Sequence, residues 1–179
     1  MKHRVNRLLP FIGALAIAFA TATPRDVDAD DVRGTSPRVR SEHATIARLI
    51  VQATERSATV RREIQIIRLT DGLVYVHEGH CGSGVLACLA MTVETAGPFR
   101  LLHVQLDLRR SELETMAAIG HELQHAIEAL SDRHVTDGPT IFSFFQQLGP
   151  TGSNRFETRA AVLAGDEVLA ELRTRAIPR

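Results

Sequence analysis

Tryptophan is absent from this 179-residue chain, tyrosine occurs once, and seven phenylalanines complete the aromatic set. Acidic and basic residues balance at 21 each, giving a formal net charge of zero, and no lysine or arginine block interrupts the balance. A nucleic-acid backbone is held by concentrated positive charge, so this composition excludes nucleic acid as an expected partner. Long hydrophobic runs are also missing. The one uncharged apolar stretch, Leu8 to Ala22, is broken by Pro10 and falls short of the roughly 20 residues a spanning helix needs. The chain contains no internal repeat. A length of 179 residues with 44% hydrophobic side chains supplies one modest core, and a single domain is expected.

Cysteine is scarce too: Cys81 and Cys88 are the only two. Their reading depends on compartment, which the N-terminus addresses. "MKHRVNR" carries Lys2, Arg4 and Arg7, "LLPFIGALAIAFATA" is apolar, and Ala18, Ala20 and Ala22 supply A-x-A sites. This is the order of a secretory signal, with an uncleaved anchor as the alternative. Residues 1–22 are therefore expected to be a signal peptide, and the protein to be secreted or periplasmic with no stable membrane insertion after cleavage. No cysteine lies near the cleavage region to carry a lipid. In an oxidising compartment Cys81 and Cys88 should pair, closing a short loop worth at best about 2 to 3 kcal/mol.

Residues 23–41, with four aspartates, two prolines and almost no apolar periodicity, read as a flexible leader. The domain is expected over 42–176. Ile46, Leu49, Ile50 and Ala53, then Val60, Ile64 and Ile67, fall at helical spacing and predict two helices or one bent helix. Three strands should follow, beginning at Gly72, Gly84 and Phe99, with "AGP" turning the last two into a hairpin. In "FRLLHVQLDL", Leu102, Val104 and Leu106 share one face, and Leu101, His103, Gln105 and Asp107 the other. Helices return with "SELETMAAIGHELQHAIEAL", where Ser111 and Glu114 have capping-box spacing. A shorter helix near "PTIFSFFQQLG" has Pro139 in its first turn, and a last helix covers "NRFETRAAVLAGDEVLAEL". The fold class expected is α+β: a small antiparallel sheet of about three strands packed with helices.

Chemistry concentrates in "HELQH". His121 and His125 lie one turn apart and about 40° around the helix axis, so their rings can converge on one ion, with Glu122 beside the first. Leu113, Met116, Ile119, Leu123, Ile127 and Leu130 occupy the opposite side. The plain alternative is the polar face of an amphipathic helix. A third ligand separates the two. The metzincin pattern is absent, because the positions for its glycine and third histidine hold Glu128 and Ser131. His134 follows in a loop. Glu157 lies four residues before Ala161 on the apolar stripe of the last helix (Ala161, Ala164, Val168, Leu172), where a carboxylate must be neutral, bonded or bound to a cation. Glu157 can equally be the third residue of a capping box begun by Asn154.

The sequence resembles the zincin metallopeptidases, and among them the gluzincin type, in which H-E-x-x-H on one helix is completed by a glutamate from a later one. It also resembles small exported bacterial proteins of unassigned function that combine a cysteine-containing β section, H-E-L-x-H and a later F/Y-E-T segment, a likeness covering about residues 44–172. The resemblance implies a zincin-like fold with Zn2+ held by His121, His125 and Glu157, Glu122 as general base, and a peptide or protein substrate. "NRFETRAA" departs from the thermolysin-like pattern in lacking an adjacent Asn-Glu and a following Ser-Asp.

Other residues carry secondary readings. His134 is a possible third ligand or oxyanion donor; His103, Arg155 and Tyr75 are further donors for a developing oxyanion. The strand from Phe99 to Asp107 is expected at the sheet edge, where an extended peptide could pair with it. His77 and His80 read as a polar loop, or as a second metal site; Phe142, Phe144 and Phe145 as core, or as a specificity pocket. Function stands as a secreted zinc metallopeptidase, with a catalytically silent zinc-binding or disulfide-stabilised binding domain as the alternative, and a metal-free domain as the third reading.

Overall fold

A computed structural model describes residues 37–148 and 156–174; the expected signal peptide, most of the leader, Asn154 and Arg155 lie outside the described residues. The described chain is α+β, with strand β1 (Val39–Arg40), helices α1 (Ala44–Arg56) and α2 (Ala58–Arg68), and strands β2 (Gly72–Glu78), β3 (Ala87–Ala96) and β4 (Phe99–Leu106). Helices α3 (Glu112–Ser131), α4 (Gly138–Leu148) and α5 (Arg159–Thr174) complete it. No helix among the described residues is long and apolar enough to cross a membrane.

The sheet departs from the expected one in strand number, direction and order. Four strands run β1-β2-β4-β3, with β1 parallel to β2, β2 parallel to β4, and only β3 and β4 antiparallel. The leader boundary moves as well, because Val39 and Arg40 pair with Val74 and Tyr75 instead of trailing as coil. The expected hairpin forms, its turn carried by Gly97 at φ 62, a left-handed conformation that favours glycine. Since β2 occupies its second side, β4 is central and closed to a pairing peptide. The edges are β1 and β3, and the one next to β4 is β3, which begins at Ala87 and is irregular between Leu89 and Val93. The alternation in β4 reads as expected: Arg100, Leu102, Val104 and Leu106 are buried, while Leu101, His103 and Gln105 are half-buried on the other face.

Between α1 and α2 the backbone turns extended at Ser57, whose N–H donates to the Ala53 carbonyl to close one helix and whose hydroxyl accepts from the Val60 N–H to cap the next. Helix α3 is the axis of the fold, packing on β3 and β4 and against α1, α2, α4 and α5. Ser111 and Glu114 form the capping box its sequence promised. Met116, Ile119, Leu123 and Leu130 are fully or nearly buried, each contributing about 1.5 to 3 kcal/mol of apolar burial. At its other end, Arg100 reaches from β4 to donate to the carbonyls of Leu130 (2.8 Å), Asp132 (2.7 Å) and Val135 (2.9 Å) while pairing with Asp71. A guanidinium at a helix C-terminus satisfies orphan carbonyls and opposes the macrodipole, so it holds the helix in register on the sheet.

Two glycines let α5 approach α3. A Cβ on Gly120 would stand 2.6 Å from Val168 Cγ2, and one on Gly165 would stand 3.3 Å from His121 Cβ. The close packing therefore falls on either side of the first histidine.

Candidate metal centre

His121, Glu122 and His125 all come from α3, whose core-facing packing sets their directions. The helix is buried around most of its circumference, so the polar-face alternative is wrong for two of the three: Glu122 is 4% exposed and His125 6%. His121 is half-buried and faces α5 near Gly165.

Glu157 reaches the same place by a route different from the expected one. Helix α5 begins at Arg159, two residues beyond Glu157, and the side chain that accepts from the Ala161 N–H belongs to Thr158. Thr158 therefore does the capping, and the capping-box role expected for Glu157 falls away. Glu157 lies in the irregular segment before the helix, with its Oε2 3.3 Å from His121 Nε2. One donor atom each from His121, His125 and Glu157 lie within 4.8 Å of one another, the one such cluster among the described residues. The imidazoles meet edge-on at 4.9 Å between centroids, and Glu122 Oε1 is 4.0 Å from His121 Nε2. Two imidazole nitrogens and a carboxylate oxygen form a donor set that suits zinc with a position left open.

Burial is the largest influence on both titrating groups beside this cluster, and it acts in opposite senses. Glu122 is pushed up by burial, against the opposing pull of His125, His121 and a hydrogen bond from the Leu89 backbone. For His121, burial disfavours the cation, but Glu157, Glu122 and Glu128 together outweigh it and raise the pKa.

Two hollows flank these side chains. The larger, about 430 Å³, is walled by the Gly84–Ala87 segment, His121 and the α5 residues Val162, Gly165 and Leu169. The smaller, about 200 Å³, is lined by His125 and by an apolar group made of the Cys81–Cys88 disulfide, Met91, Phe145 and Phe156. Glu122 and Glu157 border both. The disulfide is formed as expected, and the loop it closes supplies a wall of each hollow.

The remaining residues singled out from the sequence are elsewhere. His134 is turned into solvent beside Asp132, its side chain 96% exposed, so it is neither third ligand nor oxyanion donor. Tyr75, His77 and His103 stack on the sheet face away from the helices, with His77 Nε2 2.8 Å from His103 Nδ1, and line neither hollow. His80 lies apart from His77, near Asp107, so those two histidines make no second metal site. Arg109 pairs with Asp107 at the surface. Phe145 is buried core, lines the smaller hollow, and meets His125 edge-on at 5.4 Å. Phe142 is exposed and packs on Phe156.

Residues that sequence reasoning passed over also enter the site. His125 Nδ1 is 3.1 Å from Glu128 Oε2, and the Thr158 hydroxyl donates to Glu128 Oε1 at 2.7 Å. The i,i+3 spacing from His125 was the available signal for Glu128; nothing local pointed to Thr158. Compared with known family models, curated proteins and solved structures, the chain matches none.

Proposed function

We propose that this protein is an exported zinc-dependent metallopeptidase of gluzincin-like design, with His121, His125 and Glu157 as the zinc ligands and Glu122 as general base. The observation that carries the reading is the convergence of two histidines of one helix with a glutamate from a separate segment, around a buried glutamate at the junction of two hollows. Zinc bound there would polarise a scissile carbonyl and make water acidic enough to be deprotonated near neutral pH.

The protein's own groups account for the rest. Glu122 takes a proton from the attacking water and passes it to the leaving amine, the task of a positioned general base that becomes general acid. Its burial keeps bulk water from competing for that proton. Strand β3 supplies the sheet edge beside the site, since Ala87 and Leu89 line the smaller hollow and Glu122 hydrogen-bonds the Leu89 backbone. An extended peptide pairing with β3 would cross Glu122 and place its side chains in the two hollows. The substrate is thus a peptide or an unfolded protein segment, with one apolar side chain in the chamber of Met91, Phe145 and Phe156.

The deciding experiment is zinc content per chain of the protein from Thr23 onward, purified with its disulfide intact, beside Glu157→Ala and Glu122→Gln. Near-stoichiometric zinc in the wild type and in Glu122→Gln, dropping sharply in Glu157→Ala, is expected. Peptide turnover should fall by about 100-fold or more in Glu122→Gln. A wild type that takes up no zinc on reconstitution overturns the reading; one that binds zinc but turns over no peptide is the silent metal protein.

A further inference from the structure

We infer that Glu128 is a positioning residue that ties the ligand His125 to the chain segment carrying the ligand Glu157; the inference rests on the metal-site reading above. Glu128 stands three residues after His125, on the same side of α3. Its two carboxylate oxygens serve two different elements. Oε2 lies 3.1 Å from His125 Nδ1, and Oε1 accepts the Thr158 hydroxyl at 2.7 Å across a sequence separation of 30. The side chain is only 14% exposed, so these bonds are shielded from competing water.

Thr158 is itself fixed. Its hydroxyl accepts from the Ala161 N–H at 3.1 Å and its carbonyl from the Val162 N–H at 3.1 Å, anchoring it as the first capping residue of α5. Glu157 is the adjoining residue. A single carboxylate therefore locks the orientation of one ligand and the backbone position of another.

The chemistry of the bond to His125 matters as much as its geometry. An ionised carboxylate only accepts, so Nδ1 must carry a proton, and in the neutral imidazole that leaves the lone pair on Nε2, the nitrogen that can take a cation. Glutamine at 128 fills the same space but offers one acceptor in place of two, so it can satisfy His125 or Thr158 in the present way, not both. A surface glutamate with no such role would have one or both oxygens in water.

The test is zinc affinity by chelator competition on the exported protein with its disulfide intact, with the Co2+-substituted absorption spectrum as the readout of ligand geometry. Unfolding of the metal-free form is followed in parallel. Glu128→Ala should weaken zinc by about 10 to 100-fold and shift the cobalt bands, with Glu128→Gln intermediate. Thr158→Val should weaken zinc as well, and Thr158→Ser should restore it. If Glu128→Ala fails to fold, Glu128→Gln and the Thr158 pair carry the same comparison. Wild-type zinc affinity and an unchanged cobalt spectrum in the folded variants would overturn the role of Glu128 while leaving the metal site standing. A wild type that binds no zinc would overturn both.

Discussion

Glu63 offers the sharpest quantitative test of the packing around the site. It projects from α2 into the space between α2, α3 and α5, is 1% exposed, and neither of its carboxylate oxygens has a hydrogen-bond partner among the described residues. Its Oε2 would stand 3.6 Å from a Cβ placed on Gly120, one residue before His121. Burial pushes its pKa from the usual 4.5 up to about 8, with Glu167 and Glu171 adding to the rise and Arg62 opposing it. The folded protein thus keeps this proton to about pH 8, whereas the unfolded chain releases it near 4.5.

The sign follows. The stability contributed by the neutral acid is fully present below pH 4.5 and is lost as pH rises toward 8, at about 1.4 kcal/mol per pH unit. The total is about 5 kcal/mol, comparable with the whole stability of a modest domain. Glu63→Gln has no proton to lose. Urea unfolding of both proteins between pH 4.5 and 8.5 should show the variant gaining on the wild type as pH rises, by a midpoint difference on the order of 2 M across the range. Curves that stay parallel would refute the reasoning, because the carboxyl would then have to be ionised in the fold or already hydrated.

Two further perturbations address the frame that holds the histidines. Arg100→Met should cost about 3 to 5 kcal/mol, since it strips three carbonyls in and just beyond the last turn of α3, two of them in buried bonds, and strands Asp71; denaturant unfolding at neutral pH measures this, and a loss below about 1 kcal/mol would refute the anchoring role. Gly120→Ala should destabilise by about 1 to 3 kcal/mol through its overlap with Val168, and Gly120→Ala combined with Val168→Ala should recover part of that loss in the same assay. Equal stability of the single and double variants would show that the two helices separate instead of clashing.

Much of this molecule was readable from local spacing. The H-E-x-x-H helix, its Ser111/Glu114 capping box, the hairpin at Gly97 and the pairing of two nearby cysteines all depend on residues within a few positions of one another, where periodicity and turn chemistry act directly. The convergence of Glu157 on the histidines was expected too, but for the wrong local reason: its position on a helical stripe is not what places it, because α5 has not yet begun there.

What only the tertiary structure decided is partnership at a distance. Alternation tells which face of β4 is buried, yet it carries no information about which strands flank it, so the insertion of β4 between β2 and β3, and with it the identity of the edge strand, could not be read from the chain. Amphipathic patterning likewise places His125, Glu122 and Glu128 off the main apolar stripe and suggests solvent. Glu122 and His125 are buried and Glu128 partly so because α4, α5 and β3 close over that side of α3, bringing Thr158 and Phe145 against them. A helix pattern records the direction of each side chain about its own axis, and burial depends on what the rest of the chain brings to that direction.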